Sequence, residues 1–135
     1  MQRKVQSKLK GLTSLGHHVK DFQKLDTFPR PKNLKYVELT SDEVGALCPV
    51  TSAPDFYTVT IKYHPKKLVA ESKAIKLLLQ SYRNKGIFCE AFSAELAQIF
   101  ANVLKVKVEC QVLQKPRGGI AIKAISIAFP KRRSS

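Results

Sequence analysis

A chain of 135 residues is long enough for one domain to bury about two-thirds of its unfolded surface without a metal or disulfide staple. Its three cysteines, Cys48, Cys89 and Cys110, are odd in number and widely spaced, which suits neither a disulfide framework nor a structural zinc site. With 24 Lys and Arg against 10 Asp and Glu, the formal net charge is +14, a field that attracts polyanions and points to nucleic acid, the plainer alternative being a basic surface that only aids solubility.

Residues 1–35 hold nine Lys or Arg against Asp21 and Asp26, have poor periodicity and end in the breaker cluster Phe28-Pro29-Arg30-Pro31. They read as a basic arm and extended linker, with Arg3, Lys4, Lys8 and Lys10 as candidate phosphate contacts. Residues 1–10 alternate charge and polarity rather than building a signal-peptide core, and no run of about 20 apolar residues offers a membrane span. A soluble cytoplasmic protein with no membrane partner is therefore expected, its compact domain over residues 36–130 and a basic tail over 131–135.

Within that domain, residues 36–40 form a short predicted strand. Residues 56–64 alternate cleanly, with Tyr57, Val59, Ile61 and Tyr63 on one face, and Pro65 closes the strand. A helix is predicted over 72–84, with Ser72 as N-cap, a stripe of Ile75, Leu78, Leu79 and Tyr82, and Gly86 beyond its end. A second helix, over 90–104, carries Phe92, Leu96, Ile99, Phe100 and Val103, and the two should pack side by side. Residues 106–113 alternate again, placing Cys110 in the core. The turn Lys115-Pro116-Arg117-Gly118-Gly119 then leads into a last strand over 120–129. The order strand, strand, helix, helix, strand, strand predicts an α+β architecture, an antiparallel four-stranded sheet with both helices on one face. Its other face and edges remain to be covered, which predicts a homo-oligomer.

Leu47-Cys48-Pro49-Val50-Thr51 falls in the first strand connection, and Pro54-Asp55 opens the second strand. A thiol becomes nucleophilic where its surroundings favour the thiolate, and a nearby acid can protonate the group that accumulates charge after attack. Cys48 and Asp55 are thus candidate nucleophile and proton-transfer partner; taken alone, a loop cysteine before proline is as readily an ordinary one. His17, His18 and His64 share no metal spacing, so no metal is expected.

These residues are followed by Glu71-Ser72-Lys73-Ala74-Ile75-Lys76-Leu77, Ser81-Tyr82-Arg83-Asn84, Phe88-Cys89-Glu90 and Pro116-Arg117-Gly118-Gly119-Ile120. The ordered set, over about residues 28–129, resembles the QueF family of cyano-deazaguanine nitrile reductases and its relatives, the archaeal QueF-like archaeosine synthases. The resemblance implies a tunnelling fold (T-fold), whose subunits join sheets into a barrel and bind purine-like ligands between them. It implies that Cys48 adds to a nitrile carbon to give a covalent thioimide, with Asp55 as acid and base. It also implies that Glu90 holds the pyrimidine edge of the deazaguanine, with Phe88 beside it and Ser72 and Glu71 lining the base pocket. Lys73 and Lys76 are candidate cofactor, phosphate or RNA contacts, or a solvated helix face. Arg117 is a phosphate contact or a plain hairpin residue.

Two departures bear on the reaction. The reductases carry Phe-His-Glu where this chain has Phe88-Cys89-Glu90, and an aromatic residue where it has Leu78. Cys89 reads as a non-catalytic replacement for the histidine. A thioimide can instead accept ammonia and expel the thiolate, giving an amidine without a cofactor. The favoured expectation is therefore archaeosine formation on 7-cyano-7-deazaguanine (preQ0) held in tRNA, with ammonia as co-substrate. NADPH-dependent nitrile reduction is the alternative, for which the retained Glu71–Lys76 motif speaks, and an inactive RNA-binding T-fold module is a third reading.

Overall fold

The computed structural model describes residues 24–132. In chain order these form β1 (Thr27–Pro29), β2 (Val37–Leu47), β3 (Pro54–Tyr63), β4 (Leu68–Ala70), α1 (Ser72–Gln80), α2 (Cys89–Leu104), β5 (Val108–Arg117) and β6 (Ile120–Ala128). The four long strands make one antiparallel sheet in the order β2-β3-β5-β6.

The alternation of β3 is borne out: Tyr57, Val59, Ile61 and Tyr63 are no more than 1 % exposed, because the period-2 pleat turns all four toward the helices. Val108, Cys110 and Val112 of β5 join them. Phe92, Leu96, Phe100 and Leu104 of α2 recur every fourth residue, are equally buried, and seat that helix on β5 and β6. Burying each such side chain favours the fold by about 1.5–3 kcal/mol. The opposite sheet face leaves Phe56, Ile125 and Ile127 more than half exposed, and β2 and β6 are its edges.

The structure corrects four local expectations. The first long strand continues to Leu47, with its register shifted between Ser41 and Val44; this bulge carries the polar run that masked the strand in the sequence. Thr27–Pro29, read as part of a linker, pairs antiparallel with Leu68–Ala70 in a separate two-stranded sheet, where Pro29 is tolerated at an edge, and Leu25 beside it is buried. The N-cap of α1 is Glu71, not Ser72: the longer carboxylate reaches the amides of Lys73 at 3.0 Å and Ala74 at 2.8 Å. Finally, α1 stops at Gln80, and residues 81–84 continue as tight turns in which Tyr82 N–H donates to Leu79 O and Arg83 N–H to Gln80 O. The β5–β6 hairpin closes through Gly118 and Gly119, both at positive φ (62° and 82°), as a two-residue primed turn requires.

Candidate active site

Cys48 and Asp55 meet through one hairpin. Ala46 pairs with Asp55 and Leu47 with Pro54, and the Cys48 N–H donates to Ala53 O and the Ser52 N–H to Cys48 O, each at 2.8 Å. The thiol of Cys48, at the partly exposed start of this loop, is held below its ordinary value. The Thr51 hydroxyl contributes most, followed by the backbone amides of Thr51 and Val50, and together they outweigh burial and the nearby Asp55 charge.

Asp55 is 6 % exposed, and Arg117 Nη1 donates to its Oδ1 at 2.6 Å. The guanidinium is pushed up in turn by that hydrogen bond and charge. Arg117 is thus more than a plain hairpin residue in this structure: the primed turn folds it back onto the candidate acid.

The segment before α2 brings a second group to the same place. Leu47 N–H donates to Lys85 O at 2.9 Å and Ile87 N–H to Leu47 O at 3.1 Å, a short parallel bridge centred on Gly86. Tyr82 O–H and Lys85 Nζ fix this segment by donating to the same Glu95 oxygen, at 2.5 and 2.9 Å. The bridge sets exposed Phe88, the N-cap of α2, and Glu90, on the first helical turn, beside the Cys48 loop. Cys89 between them points inward: its Sγ lies 3.5 Å from Val112 O and 3.8 Å from Ile122 O, and burial pushes its thiol up. Burial likewise pushes Cys110 up to about 12. Of the three thiols only Cys48 is favoured toward thiolate.

Glu71, Ser72, Lys73 and Lys76 lie elsewhere in the chain. Ala70 N–H donates to the Tyr63 hydroxyl at 3.0 Å. Tyr63 stands eight residues along β3 from Asp55, roughly 27 Å at about 3.4 Å per residue. The Glu71 carboxylate is engaged as a helix cap, while Ser72, Lys73 and Lys76 face solvent, with no salt bridge to either lysine among the described residues. Arg3, Lys4, Lys8 and Lys10 fall outside the described residues, within which no cluster of His, Cys, Asp and Glu could hold a metal and no helix is long and apolar enough to cross a membrane.

Residues 54–132, more than half of the chain, match the family model described as QueF-like protein. The chain belongs to the QueF family. It is 38 % identical over 120 residues to the NADPH-dependent 7-cyano-7-deazaguanine reductase of Granulibacter bethesdensis, covering 83 % of this chain and 78 % of the relative. The enzyme of the same name from Alkaliphilus metalliredigens is 36 % identical over 131 residues, covering 90 % and 79 %. That of Helicobacter pylori strain P12 is 42 % identical over 104 residues, covering 75 % and 70 %. The apo archaeosine synthase QueF-Like superposes with a TM-score of 0.65 at 22 % identity, over 75 % of this chain and 100 % of that one, and shows the same fold.

In this QueF-family chain, then, Cys48, Asp55, Phe88 and Glu90 gather around one hairpin with Arg117, a candidate phosphate contact that proves to be paired with Asp55, while Glu71 and Ser72 open α1 near the other end of β3. One residue escaped sequence reading as a site candidate. Tyr57, counted only as core, has the single buried side-chain polar atom without a hydrogen-bond partner among the described residues. Its hydroxyl is invisible to a pattern that registers only apolar alternation.

Proposed function

We propose that this protein captures the nitrile carbon of 7-cyano-7-deazaguanine on Cys48. The observation that carries the reading is a thiol favoured toward thiolate, one hairpin away from a buried, Arg117-paired Asp55. The sulfur–carbon bond forms as one π bond of the nitrile opens, and the thiol proton passes by way of Asp55 to the nitrile nitrogen, leaving a thioimide. Phe88 offers an exposed ring to the base, and the Glu90 carboxylate can accept its N–H donors.

The reading favoured for the next step is reduction. It is supported by relatives 36–42 % identical over three-quarters or more of the chain that bear the reductase name, and here it takes precedence over the amidine expected from sequence. Two hydrides and two protons convert the nitrile to an aminomethyl group and return the thiol. NADPH would supply the hydrides, and Lys73 and Lys76 fit its phosphates, being cationic, exposed and free of salt bridges among the described residues. Lys73 opens α1 next to Ala70, which is tied to the Tyr63 end of β3 rather than the Asp55 end, so these lysines would serve the Cys48 of a neighbouring copy and the working unit would be a homo-oligomer.

The second reading is addition of ammonia to the same thioimide on tRNA-borne 7-cyano-7-deazaguanine, yielding archaeosine. Cys89, buried where the reductases are expected to carry histidine, and the net charge of +14 favour it. The test is to incubate the protein with free 7-cyano-7-deazaguanine and NADPH, and with tRNA carrying that base and an ammonium salt, and identify products by mass spectrometry. An aminomethyl product supports reduction and an amidine supports the second reading. Absence of any Cys48 adduct on either substrate would leave an RNA-binding module and sink both.

A further inference from the structure

Tyr57 sits at the centre of the candidate site on the helix-facing side of β3, two residues from Asp55 and paired with Val44 of β2 and Gln114 of β5. Its ring lies edge-on to Phe92 at 5.2 Å and 78°, three residues beyond Cys89 on α2. The ring is therefore clamped, and the side chain is fully buried. Buried hydroxyls nearly always find a partner, so one left without calls for a cause.

The surroundings of this hydroxyl supply one. Burial pushes the phenol up to about 12, and the remaining contributions come from Asp55, Cys89, Cys48 and Glu90 in that order, with Arg117 facing it from β5. Apart from the inward-facing Cys89, every ionisable group that bears on it belongs to the site. It stays protonated at neutral pH and is a donor there. Of the site's other donors, Arg117 Nη1 is engaged by Asp55, and the neighbouring Cys89 thiol is turned to the carbonyls of Val112 and Ile122. Asp55 and Glu90 are acceptors. Capture of a nitrile by Cys48 develops charge on nitrogen, and an unengaged, rigidly held donor is what stabilises such an atom.

We propose that the Tyr57 hydroxyl is a substrate-contacting group that donates a hydrogen bond to the nitrogen of the nitrile as it becomes the thioimide at Cys48. The inference rests on the Cys48 reading above. The hydroxyl is sealed in the ligand-free chain, so its contact with a ligand requires a local rearrangement around it.

Tyr57→Phe deletes only this oxygen. If the hydroxyl were merely tolerated in the core, its removal would leave the chain as stable or more stable and the chemistry unchanged. The contact predicts an unchanged or raised melting temperature together with at least tenfold slower Cys48 adduct formation with 7-cyano-7-deazaguanine, followed by mass spectrometry. Iodoacetamide labelling of Cys48 should stay at the wild-type rate. Adduct formation within twofold of wild type overturns the proposal. A wild-type chain that forms no adduct instead overturns the Cys48 reading. The contact is then read without covalent chemistry, by calorimetric titration of the nucleobase into Cys48→Ala and into Cys48→Ala/Tyr57→Phe. At least fivefold weaker binding by the double variant supports the contact, and equal binding, or none by either, overturns it.

Discussion

Replacing Tyr82 by Phe should weaken the protein in a way that depends on pH. The Tyr82 hydroxyl donates to Glu95 Oε2 at 2.5 Å, Lys85 Nζ reaches the same oxygen at 2.9 Å and stands 5.1 Å above the Tyr82 ring, and that ring packs on Phe92 at 4.5 Å. The substitution keeps the ring contacts and removes one donor from a carboxylate. Hydrogen bonds to charged groups contribute about 1.5–3 kcal/mol; Glu95 is 38 % exposed and keeps Lys85, so solvent screening places the loss near the lower end, about 1.5 kcal/mol. For a domain of this length that is a fall of roughly 6 °C in melting temperature. Burial pushes the Glu95 carboxyl up, but Tyr82 and Lys85 more than offset it and hold it below the ordinary range. A depressed carboxyl stabilises fully above its unfolded value of about 4.3 and loses that contribution as pH falls through its folded value. The gap between wild type and Tyr82→Phe should therefore be complete at pH 7 and smaller at about pH 3, read by thermal denaturation. No gap at pH 7, or an equal gap at both pH values, would refute the reasoning.

Thiol labelling offers a second check: iodoacetamide should modify Cys48 in the native protein and reach Cys89 and Cys110 only after denaturation, as mapped by peptide mass spectrometry. Both buried thiols are pushed up and sealed, whereas Cys48 is partly exposed and held down. Glu71→Ala should cost about 1 kcal/mol by freeing the amides of Lys73 and Ala74, with a melting temperature about 4 °C lower, and Glu71→Asp should recover most of the loss.

What could be read from the sequence followed from how each element is covered. The β3 strand is buried on one face only, so its alternation is clean, and α2 spans enough turns for its stripe to be unmistakable. The second half of β2 was hidden because Ser41-Asp42-Glu43 occupies a bulge where the two-residue period breaks. β1 and β4, at three residues each, are too short to have a period, and Pro29 and Pro31 read as breakers although an edge strand accommodates proline. Cys48 and Asp55 stood out because seven residues and one turn separate them. Arg117 was noted only as a phosphate contact or hairpin residue, because its partnership with Asp55 spans 62 residues and exists only after β5 has docked on β3 and the glycine turn has folded its end back.

The placement of the start of α1, which carries Glu71 and Lys73, near the Tyr63 end of β3 makes one further prediction. If these residues and Cys48 serve one site, that site joins two copies of the chain, and chains defective at opposite ends should complement each other. Cys48→Ala lacks the nucleophile; a Lys73→Glu/Lys76→Glu chain keeps it but repels an anionic cofactor or substrate. When the two are co-expressed in equal amounts, random assembly gives a site with an intact Cys48 from one copy and intact lysines from its neighbour in about one quarter of cases. Product formation should therefore return to about a quarter of the wild-type level, although either variant alone is inactive. Were each site built within one chain, every site in the mixture would carry one defect, and co-expression would restore nothing.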